Sequence, residues 1–179
     1  MKGISKRWYV IFALLLTGSH IFGQFMEQRV FAGLGYGLDY GGFGGKIEYV
    51  TAKNIGVFAG LGYNHISAGW NAGATLKILP NKTISVNPMV FYGYNGGVSK
   101  IKNAPEYEMI SLGATAGFNM DIMLGRKSKF SVGLFVPFRS RKFRDNYQAM
   151  KNDPAVHITN ELVPVSFSVG YSYKFYSKY

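Results

Sequence analysis

The chain has no cysteine, which excludes a disulfide framework, a thiolate metal site and lipid attachment through an N-terminal cysteine. Histidine is nearly absent: only His20, His65 and His157 occur, far apart, so a histidine metal centre has no support and no cofactor is implied. Carboxylates are scarce as well, with 9 Asp and Glu against 20 Lys and Arg, and none between residues 49 and 105. Long apolar runs are missing too. WYVIFALLL holds 9 residues, well short of the ~20 that a spanning helix needs. Preceded by the basic MKGISKR and followed by TGSHIFG, it reads instead as a secretory signal peptide over 1–23, cleaved after Gly23. The mature domain then runs over 24–179 and keeps 17 basic residues against 9 acidic ones. For an exported chain such a balance points to anionic lipid or polysaccharide and away from nucleic acid.

Glycine is what the sequence has in quantity. GLGYGLDYGGFGGK, residues 33 to 46, resembles a phosphate-binding loop until its spacing is checked. A P-loop ending at Gly45-Lys46 would need glycine where Tyr40 stands and a hydroxyl where Ile47 stands. The dinucleotide pattern G-x-G-x-x-G fails at Leu38 and again at Tyr40. These glycines need another explanation.

From residue 30 onward apolar residues recur at every second position, the period of a strand. Eight runs follow, near 29–39, 43–51, 55–64, 69–79, 83–94, 108–121, 129–139 and 161–175. VFAGLGYG (30–37) returns as VFAGLGYN (57–64), a period of 27 residues that suits one hairpin with its turns. The connections at 52–54, 80–82 and 122–128 are short, whereas those at 95–107 and 140–160 are long. One phase holds Val57, Leu61, Trp70, Leu112, Leu134 and Phe167, with no Lys or Arg in any run and carboxylates only at the first position of two, Glu108 and Glu161. The other holds Lys46, Glu48, Asn71, Lys77, Ser85, Asn87, Thr115 and Ser168, with glycine filling much of the rest.

Two eight-stranded architectures compete for this pattern. A soluble carrier would bury the apolar phase and present glycine and serine to water, with few charges for solubility. A membrane barrel reverses the faces, and a single Lys or Arg at its lipid midplane costs roughly 2–4 kcal/mol. A phase without Lys or Arg, and without any charge inside its strands, predicts the second: an all-β, eight-stranded, antiparallel up-and-down transmembrane barrel behind an N-terminal signal peptide. Glycine then points inward and leaves room for Phe31, Lys46, Phe58 and Phe91, while GGFGG serves a tight hairpin. Tyr40, Phe43, Tyr63, Trp70, Tyr92, Tyr94 and Phe138 are expected in an aromatic girdle at the loop end. Tyr49, Phe118, Phe130, Tyr173 and Phe175 are expected in a second one at the turn end. Pro88, on the outward phase of the fifth run, predicts a bulge or local break there.

With this architecture the chain resembles the small eight-stranded outer-membrane barrels of Gram-negative bacteria, the OmpA/OmpX-like and opacity-protein-like group, over residues 29–179. The Gly/Tyr-rich strands resemble Bacteroidota members. SVGYSYKFYSKY, with Tyr171, Tyr173, Phe175 and Tyr179 in one phase, is similar to the terminal signal read by barrel-assembly machinery, although Ser177 departs from it. The resemblance implies the cell outer membrane, a monomer, and lipid and lipopolysaccharide as surroundings. Fold alone does not set function in such a group.

Three sets of residues are candidate sites. Arg139, Arg141, Lys142, Arg144 and Lys151, in the loop FRSRKFRDNYQAMK (138–151), suit lipopolysaccharide or another anion, because Arg pairs bidentately with phosphate. Lys46, Glu48, Lys77, Asp121 and Lys174 share the inward phase and predict an ion-pair network that plugs the lumen. The alternative is a narrow porin for small solutes with those charges as its filter. YNHISAG resembles the H-x-S-N signature of lipid A deacylases, which would make His65 and Ser67 an acyl-ester hydrolase pair. Ala68 stands where that signature has asparagine, and only Asp39 or Glu48 could orient the histidine. The reading taken forward is therefore non-enzymatic: a barrel that serves envelope structure or presents its loops outward.

Overall fold

The computed structural model describes residues 28–64, 66–79, 82–98, 109–152 and 163–178. The expected signal peptide, His65, His157 and Tyr179 lie outside the described residues. Eight antiparallel strands close into a barrel in the order β1 to β8, each hydrogen-bonded to its neighbours in sequence, with β8 returning to β1. They are β1 Gln28–Gly37, β2 Gly42–Val50, β3 Ile55–Tyr63, β4 Ala68–Leu76, β5 Ile84–Val98, β6 Met109–Leu124, β7 Ser128–Pro137 and β8 Ser166–Lys178. Up-and-down connection follows from the short turns, since antiparallel neighbours need only a tight link. The fifth strand runs further than the alternation predicts, to a last pair Val98↔Met109, which shortens the expected long connection to the sixth.

Alternation fixes what each face carries. Leu34, Leu61, Val90, Leu134 and Phe167 point outward, and each is more than half exposed. Lys46, Glu48, Asn87, Asp121, Lys129 and Ser168 point inward and are buried. An apolar cluster of Leu38, Phe58, Met89, Phe91 and Phe135 fills part of the interior. Its rings meet edge to face, Phe58 with Phe91 at 5.8 Å and Phe91 with Phe135 at 5.1 Å, a favoured aromatic geometry.

The connection between β1 and β2 does not leave the barrel. Leu38–Tyr40 forms one 3-10 turn, closed by Gly41 in the left-handed conformation at φ 72°, where a side chain would be strained. All three turn residues are buried, Asp39 and Tyr40 completely. Tyr40 therefore stands inside the lumen and not in the loop-end girdle where the alternation places it. The reason is room: a Cβ on Gly60 would collide with the Asp39 carbonyl, and one on Gly170 with the Tyr40 hydroxyl. Inward glycines thus accommodate a piece of the chain itself, in addition to neighbouring side chains.

Tyr94 also departs from the girdle. It is half-buried against the luminal cluster, beside a register irregularity between Tyr94 and Gly96 that turns the end of β5. At Pro88 there is a break and no bulge. Pairing of β4 with β5 ends at Thr75↔Met89, one residue short of the proline, while the ladder with β6 runs through Pro88↔Phe118 without a shift. A proline has no N–H to give a second neighbour, and the sheet loses that neighbour there. Asn87 spans the opened seam, its Oδ1 accepting from the Ile78 N–H at 3.3 Å.

The inserted turn makes the cost of inward bulk specific. Gly60→Ala should destabilise the barrel by about 1–3 kcal/mol through overpacking. Gly45→Ala, whose Cβ meets nothing nearer than 3.7 Å, should stay within about 0.5 kcal/mol of the parent. Urea unfolding followed by gel mobility measures both, and equal effects would contradict the insertion.

Candidate functional site

Two places in the fold concentrate chemistry: the lumen and a groove at the loop end. In the lumen, β2 supplies Lys46 and Glu48, the end of β4 leads into Lys77, β6 supplies Asp121 and β7 supplies Lys129. Glu48 takes Lys77 and Lys129 at 2.5 Å each, and Asp121 takes the same two lysines at 2.9 and 3.2 Å. Two carboxylates and two ammoniums thus form a closed, charge-neutral square. Asp121 is its hub, accepting also from Ser131 Oγ at 2.6 Å, Asn119 Nδ2 at 2.8 Å and Asn87 Nδ2 at 3.0 Å. Lys129 Nζ lies 4.5 Å from the centre of the Phe31 ring, within cation–π reach.

A separate pair holds the inserted turn. Lys46 donates to Asp39, and its Nζ lies 4.3 Å from the centre of the Tyr40 ring. Asn71 Nδ2 donates to the Leu38 carbonyl and, at 3.0 Å, to that of Tyr94. Of the five residues expected in the luminal network, Glu48, Lys77 and Asp121 meet in the square, and Lys46 lies in the separate pair. Lys174 is half-buried near the end of β8, where its N–H donates to the Lys127 carbonyl at 2.6 Å, and it is not part of the square. Lys129 and Asp39, absent from the expected set, complete the two groups. Lys129 was legible, because Phe130 and Val132 on the outward phase put residue 129 inside. Asp39 was not, because alternation carries no sign of a turn that folds back. Toward the turn end, Phe31, Lys77, Asp121 and Lys129 help line a void of 20 Å³, enough for about one water.

At the loop end, residues expected as an unstructured loop form helix α1, Arg141–Lys151. Ser140 caps it, its hydroxyl accepting from the Phe143 N–H at 3.2 Å. Phe143, Tyr147 and Met150 fall on one face, and Phe143 and Met150 are buried. Between α1 and the end of β7 lies an open groove of about 580 Å³, lined among others by Phe138, Arg139, Phe143, Arg144, Tyr147 and Pro164. Of the five basic residues expected to bind an anion, Arg139 and Arg144 line this groove, while Arg141, Lys142 and Lys151 are exposed elsewhere on the helix. Arg139 Nη1 donates to the Val163 carbonyl at 3.0 Å, and its Nε is buried with no acceptor among the described residues. Burial lowers the Arg139 pKa, which Tyr94 and Tyr147 pull back upward, and the group keeps its charge.

Ser67 sits in the turn between β3 and β4, where its hydroxyl donates to the Ala68 carbonyl at 3.2 Å. Asn64 Oδ1 accepts from the Ile66 and Ser67 N–H groups at 3.2 and 3.0 Å, so this turn is built by Asn64. Among the described residues no group of His, Cys, Asp or Glu is placed to hold a metal ion. Compared with protein-family models, curated proteins and solved structures, the chain gives no match.

Removing one member of the luminal square leaves buried charge uncompensated. Asp121→Ala should cost about 3–5 kcal/mol, read as a lower urea midpoint of the refolded protein. The double change Asp121→Ala with Lys129→Met should recover part of that loss; full additivity would show that the two do not interact.

Proposed function

We propose that the protein is an integral outer-membrane β-barrel without enzymatic activity, its lumen filled by side chains and its loop end presented outside the cell. The inversion of faces carries this reading. Val57 and Leu134 are 47 % and 59 % exposed on the barrel wall, while Lys46, Glu48, Lys77, Asp121 and Lys129 are no more than 5 % exposed within it. A soluble carrier requires the opposite arrangement, because water rarely tolerates so extensive an apolar surface on a monomer. Lipid favours it.

Strand length supports the same reading. The strands hold from 9 to 16 residues, and about 9–11 suffice to cross when tilted. Phe43, Tyr63, Trp70, Tyr92 and Phe138 remain exposed at the loop end, with Phe118, Tyr173 and Phe175 exposed toward the other, an arrangement that suits two interfacial girdles. The signal peptide read over 1–23 and the aromatic phase of Tyr171, Tyr173 and Phe175 provide the route, through export and then barrel-assembly machinery. Likeness to the OmpA/OmpX-like barrels belongs to this proposal and rests on architecture.

Within it, the lumen acts as a plug and not as a solute path. A selective conduit is lined by charge of one sign, whereas Asp39, Glu48 and Asp121 are balanced by Lys46, Lys77 and Lys129. The turn Leu38–Tyr40 occupies the same space.

Refolded in detergent, the mature chain should migrate faster unheated than boiled. Val90→Arg on the outer wall should lower stability in bilayers by roughly 2–4 kcal/mol. A mature chain that stays monomeric in plain buffer would sink the membrane reading. In planar bilayers the parent should show no stable conductance, and a sizeable one would overturn the plug while leaving the barrel intact.

A further inference from the structure

The groove between α1 and β7 joins two chemistries that a single amphiphile satisfies. Its cationic side has Arg139 and Arg144, and neither forms an ion pair with a carboxylate among the described residues. Helix α1 and Arg139 together carry Arg139, Arg141, Lys142, Arg144 and Lys151 against the single Asp145. Its apolar side has Phe138, 60 % exposed and next in the outward series after Val136, so the groove opens onto the apolar wall. Two guanidinium groups lining one groove, Arg139 and Arg144, are suited to a phosphate, whose oxygens accept from the planar fork. A free anion would use only half of this surface. An acyl chain beside the phosphate would lie along Phe138 and Val136.

We infer that this groove is a binding site for the phosphate of a membrane lipid, held by Arg139 and Arg144, with the acyl chain against Phe138 on the outer wall. The inference rests on the membrane reading and adds to it a defined ligand class at a defined place. It also divides the basic residues. Lys142 is exposed and outside the groove, so it contributes general attraction and no contact with the ligand.

The test uses the full mature chain, refolded in a sugar-headgroup detergent that brings no phosphate of its own. Native mass spectrometry measures retention of diphosphorylated lipid A and of the same lipid stripped of phosphate, with and without equimolar inorganic phosphate. The parent should retain the phosphorylated lipid at least tenfold more than the stripped one, and inorganic phosphate should not displace it. Arg139→Gln with Arg144→Gln should abolish that preference, while Lys142→Gln should change retention by less than twofold. Arg144→Gln alone, at an exposed helix position, supplies the answer if the double variant does not fold. Equal loss from Lys142→Gln would reduce the site to diffuse charge and overturn the inference. Displacement by inorganic phosphate would make it a free-anion site, and equal retention of the stripped lipid would remove the phosphate from the argument. Heat-dependent mobility of the same samples tests the barrel separately, so failure of the groove and failure of the membrane reading remain distinguishable.

Discussion

A barrel of eight strands closes around a space only wide enough for side chains to fill, and everything else in this protein follows from what has been put into it. Here the space holds a segment of backbone as well. Leu38–Tyr40 enters from the loop end and is held by Lys46 on Asp39 and by Asn71 on the Leu38 carbonyl. The wall can accept it only where inward positions have no side chain, at Gly60 and Gly170 among others. Glycine in a strand interior weakens the strand by entropy and by lost packing. Closure offsets that cost, because every strand is paired on both sides and none is an edge.

The same confinement governs the charges. Buried ion pairs return the desolvation penalty only when their geometry is good and their remaining lone pairs are satisfied. Around Asp121 that condition is met by two ammoniums, one hydroxyl and two amides. The square of Glu48, Lys77, Asp121 and Lys129 links strands from opposite parts of the chain, β2 with β6 and β7. It therefore ties the circumference across the lumen, in a direction that the ladder hydrogen bonds do not span.

How much of this the sequence disclosed depends on the element. The period of two exposed the strands, the two faces and the inward charges of β2 and β6, because one residue of slip would have sent every one of them to the wrong side. Helix α1 was legible in principle from Ser140 and from Phe143, Tyr147 and Met150 at helical spacing, but the basic residues between them read as a solvated loop. The inserted turn was not legible. An aromatic residue at a strand end has the same local pattern whether it anchors at an interface, like Phe43, or fills the interior, like Tyr40. What separates them is the space left by glycines on β3 and β8, which are distant in sequence. The division of the basic residues into groove and surface likewise required the helix to be placed.

The repeated octapeptide shows how sequence and closure meet. Its two copies are β1 and β3, and both pair with β2, so the inward residues of β2 face the same neighbours on either side. Glu48 lies between Phe31 and Phe58, and Lys46 between Gly33 and Gly60. A bulky residue thus flanks the carboxylate on both sides, while the lysine that must reach Asp39 is flanked on both by residues without a side chain. The copies differ only at their last position, where the two hairpins part. Gly37 adopts φ 138° and sends the chain inward as the 3-10 turn, whereas Asn64 uses its side chain to close the turn at 64–67. Identity is kept where β2 imposes the same surroundings on both strands, and it ends at the residue where those surroundings diverge.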